Sequence, residues 1–266
     1  MPTVSIIIPV IRPDKAERCV KAIRENAGLL EGPDYEIITE VDKNRIGCPK
    51  MVKRLTDRSK GEMVCFLGDD TIPQKNFLVN AVRAMRFMPE DPQDKVKWGL
   101  VSFNDNVNTS RTAAHWLAHK RLLPLLDGEF FHTGYGHCYC DDELMIRAQQ
   151  MGRYIYAYDA ILYHDHPLVQ KDAKVDDYYR KVYGEQMKKD HALFLNRMNN
   201  KWKTVHTLSG EERKMPLRVV IGIPSGEMLH TDFAMALVNL CIKSYMAGIH
   251  CIIVSQKSSI VEVGRC

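Results

Sequence analysis

The chain has 266 residues, a formal net charge of +4, 45% hydrophobic and 26% charged residues, the balance of a globular protein with one large domain or one domain plus a fragment. So mild a basic excess argues for no nucleic-acid partner, and no apolar run approaches the roughly 20 residues of a membrane span. Met1-Pro-Thr-Val-Ser has no basic region ahead of an apolar core, so a cytoplasmic location is expected. Of the eight cysteines only Cys138 and Cys140 lie close together, without the second pair that a zinc site needs, and reduced, mostly buried thiols are expected.

Val4 to Val10 is a β-branched run fit for burial on both faces. Pro13-Asp14 opens a helical pattern with Cys19, Val20 and Ile23 on one face, and Asn26-Ala-Gly28 closes it. Tyr35 to Val41 is a second strand ending in Asp42, which completes a βαβ unit and implies a parallel sheet. Met51 to Ser59 reads as a helix, stopped by Lys60-Gly61, and Met63 to Leu67 as a short buried strand. This strand runs into Gly68-Asp69-Asp70, with Pro73 expected to end sheet pairing. Adjacent carboxylates at the carboxyl end of a buried strand stand where open α/β sheets place ligands, and hard oxygen donors there suit Mg²⁺ or Mn²⁺. The same three residues also make an ordinary solvated turn, and composition alone does not choose.

Phe77 to Met88 is an amphipathic helix and Trp98 to Phe103 a fourth strand, so strand and helix alternate as in a layered α/β domain. No GxGxxG, GxxxxGK[ST] or GxSxG motif occurs, which disfavours dinucleotide oxidoreductases, P-loop NTPases and α/β-hydrolases. His115 to Leu126 reads as a helix, followed by a Gly- and aromatic-rich loop, Glu129 to Cys140. Asp141 and Asp142 then begin a helix, where acids serve as caps or, beside such a loop, as a general base. Tyr154 to Tyr158 and Ala160 to Tyr163 are strand segments, ending in His164-Asp165-His166, a corner with metal-ligating residue types. Helix is expected between Asp176 and Trp202.

In order and spacing these pieces resemble the family 2 glycosyltransferases of the GT-A fold. The carriers are Ser5-Ile-Ile-Ile-Pro9, Glu36 to Asp42, Lys60 to Asp70, Asp141 to Arg147 with Gly152, and His164-Asp-His166, over about residues 1 to 170. The resemblance implies a mixed, mostly parallel sheet with helices on both faces. It implies inverting transfer of a sugar from a nucleotide-diphosphate donor, a UDP-sugar above all, to a saccharide or other hydroxyl acceptor, with Mn²⁺ or Mg²⁺. By position, Pro9 and Val10 would line the nucleotide pocket, and Glu40 or Asp42 would hold the base or ribose. Asp69 and Asp70 match the metal motif, with Asp70 the direct ligand. His164 or His166, the latter preferred, would complete the metal shell, and Asp141 would be the catalytic base. Gly68 stands where many members carry the first Asp, and Cys140 where Glu is usual. A non-catalytic nucleotide-sugar-binding module of the same fold is the alternative. A nucleotidyltransferase ranks last, because Arg12-Pro-Asp-Lys15 has the charge but no glycine of the loop it would need.

Past a polar linker at 207–216, Arg218 to Pro224, Phe233 to Tyr245 and Cys251 to Val254 read as strand, helix and strand. Residues 1–206 are thus expected to form the transferase-like domain, and 217–266 the β-α-β opening of a second. A lone βαβ piece cannot bury both faces of its sheet, so it must dock on something or belong to a longer protein, and a chain continuing beyond Cys266 is expected.

Overall fold

The computed structural model describes residues 3–106, 112–165, 180, 182–202, 219–224 and 251–256. Two compact units divide it, Met1–Leu208 and Ser209–Cys266.

The first unit is built on β1 (Val4–Val10), whose seven residues are all buried. Alternate side chains go to opposite faces: Ile6, Ile8 and Val10 join one apolar cluster with α1 (Pro13–Asn26) and α3 (Phe77–Met85), while Ile7 joins another with α2 (Cys48–Arg58) and α4 (Cys140–Gln150). This two-sided burial is why the strand reads as a continuous apolar run rather than an alternating one. The sheet has the order β2-β1-β3-β6-β5-β7-β4. Here β2 is Tyr35–Val41, β3 Met63–Phe66, β4 Thr71–Pro73, β5 Leu100–Asn104, β6 Trp116–His119 and β7 Tyr154–His164. β2, β1, β3, β5 and β7 share one direction, and β6 and β4 oppose it.

Three local expectations change. His115 to Leu126 is not a helix: Trp116–His119 is a fully buried strand between β3 and β5, and only Lys120–Leu125 is a 3₁₀ turn. A strand buried on both faces shows no period that separates it from a buried helix. Pro73 does not end sheet pairing. It sits in the short edge strand β4, paired antiparallel to β7, where one missing N–H is tolerated. The two segments around Tyr158 form one strand, β7, with a shift of register against β5 between Phe103 and Asn104.

A turn of π-helix at Val182–Gln186 leads into α5 (Met187–Asn199), the described part of the helix expected between Asp176 and Trp202. In the second unit β8 (Val219–Pro224) and β9 (Cys251–Gln256) pair in parallel, Val219 opposite Cys251 and Pro224 opposite Gln256. The helix expected over Phe233 to Tyr245 falls outside the described residues.

Candidate active site

The ends of β1 and β3, the start of α4 and the turn before α5 enclose a cleft of about 350 Å³. Its walls include Pro9, Arg12, Asp42, Asp69, Asp70, His115, Asp141, Asp142, His164 and Tyr183. Sites at strand carboxyl ends follow from α/β layering, because there the loops converge over the sheet edge.

Most of the residues singled out from the sequence meet here. Pro9 and Asp42 line the cleft, and the buried carboxylate of Asp42 accepts from the N–H groups of Ile46 (2.9 Å) and Gly47 (3.0 Å). Val10 and Glu40 do not line it. Strand alternation turns Val10 into the opposite core, and Glu40 is engaged with Arg54 (3.0 Å) and Arg58 on α2. His166 lies outside the described residues.

Asp69 and Asp70 divide their work. Asp69 is held from behind, its Oδ2 accepting from the N–H groups of Ile11 and Arg12, both at 2.7 Å. Burial pushes its carboxyl above the usual range, against the pull of Arg12 and those N–H groups. Asp70 faces His164, whose Nε2 lies 3.5 Å from Oδ1, because β4 pairs with β7 and sets Thr71 opposite His164. Burial alone would raise Asp70, yet the hydrogen bond and charge of His164 and the charge of Arg12 outweigh it and hold the carboxyl well below its ordinary value. For His164 burial works downward, but Asp105 and Asp70 on its two sides push the imidazole up to about 9. The middle residue of the His164–His166 corner, Asp165, turns to Lys15, 3.1 Å away.

Behind this pair stand Asp105 and His115, both buried and neither anticipated from the sequence. Asp105 Oδ2 is 3.6 Å from His164 Nδ1 and 4.0 Å from His115 Nδ1, and Asp105, His115 and His164 each bring a ligand atom within 4.8 Å of the others. The two imidazoles meet edge to face, centroids 4.7 Å apart, and His115 stacks on Phe66. Two donors at ~2.1 Å from one ion stand roughly 3.0–3.5 Å apart, so Asp70 Oδ1 and His164 Nε2 fit a shared divalent cation. Asp105, 3.6 Å from Nδ1, is the carboxylate on the other side of the imidazole. Gly68 has a local reason: a Cβ there would stand 2.8 Å from Asp70 Oδ1 and 3.2 Å from His115 Nε2. Any side chain at 68 would have to displace the Asp70 carboxylate.

On the other wall Asp141 and Asp142 occupy the first turn of α4, and Thr112 Oγ1 donates to Asp141 Oδ2 at 2.8 Å. Burial, with Asp141 beside it, pushes Asp142 up to about 7. The loop before α4 does not hang free. Asp190 of α5, fully buried, accepts from the N–H groups of Gly136 (2.8 Å), His137 (2.9 Å) and Cys138 (2.8 Å) and from the Gln186 side chain (2.9 Å). Gly47, at φ +98°, touches the same loop from the β2 side, where a Cβ would lie 2.7 Å from the Gly136 carbonyl. α5 is tied to α4 as well, through Arg197 on Glu143 (2.8 and 2.7 Å), which also accepts from Tyr135 (2.8 Å) and Arg147 (3.0 Å). Cys19, Cys48, Cys65, Cys138 and Cys140 are free thiols.

The fold is GT-A, a mixed sheet with helices around it, and its structural neighbours are GT-A glycosyltransferases. Glucosyl-3-phosphoglycerate synthase from Mycobacterium tuberculosis, solved with Mn²⁺, UDP-glucose and phosphoglyceric acid, has a TM-score of 0.50 at 13% identity, over 74% of this chain and 80% of that one. The mannosyltransferase PcManGT from Pyrobaculum calidifontis, with GDP-Man and Mn²⁺, gives 0.47 at 18% identity, over 76% of this chain and 71% of that one. TarS from S. aureus gives 0.48 at 14% identity, over 74% of this chain and 43% of that one. No family model and no curated protein sequence matches the chain.

Proposed function

We propose that this chain is an inverting, metal-dependent glycosyltransferase that moves a sugar from a nucleoside-diphosphate donor, a UDP-sugar, to a hydroxyl acceptor. One observation carries the reading: a carboxylate–imidazole pair, buried Asp70 and half-buried His164, and an acidic helix start, Asp141 and Asp142, face each other across a single cleft. The neighbour crystallised with UDP-glucose and Mn²⁺ is consistent with that class, at the level of fold.

Asp70 and His164 would hold Mn²⁺ or Mg²⁺, with Asp105 orienting the imidazole. A divalent ion there supplies positive charge to the leaving diphosphate. Pro9 and Asp42 lie on the wall where the nucleoside end of the donor is read. Asp141, oriented by Thr112, accepts the proton of the acceptor hydroxyl as that oxygen attacks the anomeric carbon from the side opposite the diphosphate. Asp142 sits beside it as a second acid, its carboxyl raised by burial and by the neighbouring Asp141. The Asp190 clamp keeps His137 and Cys138 against the cleft and excludes water from one side.

Among the described residues no helix is long and apolar enough to cross a membrane. Free thiols support a reducing, cytoplasmic setting. The parallel β8–β9 pair supports reading residues 217–266 as the β-α-β opening of a second domain of this kind.

Calorimetric titration with UDP, GDP and TDP, with and without Mn²⁺, tests the donor site. Manganese-dependent binding of one nucleotide, lost in Asp70→Ala, is the expected result. If no nucleotide binds under any metal, the transferase reading fails.

A further inference from the structure

Arg12 has a place that the sugar-transfer chemistry above does not use. Its Nη2 stands 3.1 Å from Asp69 Oδ1 and 3.2 Å from Asp70 Oδ2, so one guanidinium bridges the carboxylate pair. The turn from β1 into α1 does not depend on this contact, because the N–H groups of Ile11 and Arg12 already fix Asp69. What the side chain adds is a positive charge on the very carboxylate that faces His164. It also lies on the cleft wall with 22% of its side chain exposed, open to an anion arriving from the cleft. A guanidinium fork matches a phosphate as well as it matches a carboxylate, whereas a divalent ion and a guanidinium on one carboxylate repel.

We propose that Arg12 is a built-in counter-cation of Asp69 and Asp70 that couples metal entry to diphosphate entry. An arriving diphosphate would draw the guanidinium off Asp70 Oδ2 and so remove a competing positive charge from the carboxylate whose Oδ1, with His164, would hold the divalent ion. This rests on reading the cleft as a diphosphate site. By linkage, each ligand strengthens the other through the same residue.

The test compares the full chain with Arg12→Gln and Arg12→Lys, all three checked for fold by circular dichroism. Mn²⁺ binding without any phosphate is followed by the electron paramagnetic resonance of the free ion. Pyrophosphate and UDP binding are followed by calorimetry in metal-free buffer. In Arg12→Gln the two ligands move in opposite directions: Mn²⁺ binds about tenfold tighter or more, and pyrophosphate about tenfold weaker or more. Arg12→Lys, which keeps the charge, holds Mn²⁺ binding near the original level. A side chain that merely braced the turn would weaken both ligands together when removed. Mn²⁺ affinity unchanged or weaker in Arg12→Gln overturns the proposal, as does pyrophosphate binding that is absent from the original chain or unaffected by the substitution. Pyrophosphate binding that depends on Arg12, with no binding of UDP, leaves the proposal standing and sinks the nucleotide-sugar reading instead.

Discussion

Replacing Asp190 with alanine is expected to loosen the cleft before it touches any reacting group. The carboxylate accepts three consecutive backbone N–H groups, from Gly136 to Cys138, and the amide of Gln186, at distances of 2.8 to 2.9 Å. It is 1% exposed, so water does not stand in for it. A hydrogen bond to a charged acceptor contributes ~1.5–3 kcal/mol net, and a buried N–H left without a partner costs ~1–3 kcal/mol. Because the loop borders the cleft, it can shift and take up water at part of its donors, which brings the expected loss to about 3–5 kcal/mol. Asp190→Asn keeps one accepting oxygen but turns an NH₂ toward the donors, and about 2 kcal/mol is expected. Against a typical stability of ~5–15 kcal/mol, the alanine variant stands near the threshold of folding. Urea unfolding by circular dichroism measures the loss, and hydrogen exchange at 136–138 locates it. A loss below about 1 kcal/mol, with unchanged exchange at those three amides, would refute the clamp.

Other substitutions probe the remaining parts. Gly68→Ala pushes a Cβ to 2.8 Å from Asp70 Oδ1, and Mn²⁺ binding should weaken at least ~10-fold with about 1–3 kcal/mol of stability lost; binding at the original affinity counts against Asp70 as a ligand. Asp141→Asn should abolish UDP release from the donor in the presence of acceptor while leaving donor binding intact, and an NMR titration of Asp142 in the same variant should show its carboxyl falling from about 7, since one of its two causes is gone. Glu143 bears on acid stability. Burial would raise it, but Arg197 and Tyr135 outweigh burial and depress it, so its contribution is complete above the ordinary glutamate value near ~4.3 and is lost as pH falls through the depressed one. Glu143→Gln should therefore lower stability at neutral pH and flatten the acid limb of the stability curve, and an unchanged limb in urea melts would count against the network. Gly61→Ala sets a Cβ 2.7 Å from the Ser5 nitrogen and 2.8 Å from the Val4 carbonyl carbon, backbone that cannot yield, so more than about 2 kcal/mol should be lost in a thermal melt.

Much of this protein is legible along the chain because its signals are local. A strand buried on both faces must be apolar throughout, so Val4–Val10 and Met63–Phe66 stand out, and the helices between them carry one-sided patterns. Acids at a strand end and at a helix start mark Asp69, Asp70, Asp141 and Asp142, and those four do line one cleft. Other features exist only after folding. Strand alternation sent Val10 away from the cleft beside which Pro9 sits, and α2 claimed Glu40 through Arg54 and Arg58. The pairing of β6 between β3 and β5 turned an expected helix into a strand and carried His115 to the corner of Asp70 and His164, where the end of β5 delivers Asp105 from the other side. Asp190 meets Gly136 across 54 positions, and Arg12 meets Asp69 across 57. Sequence determines which residues have the chemistry for a site, because residue type and period are carried locally. Which of them share a site is decided by strand order and register, which bring together side chains that no local pattern connects.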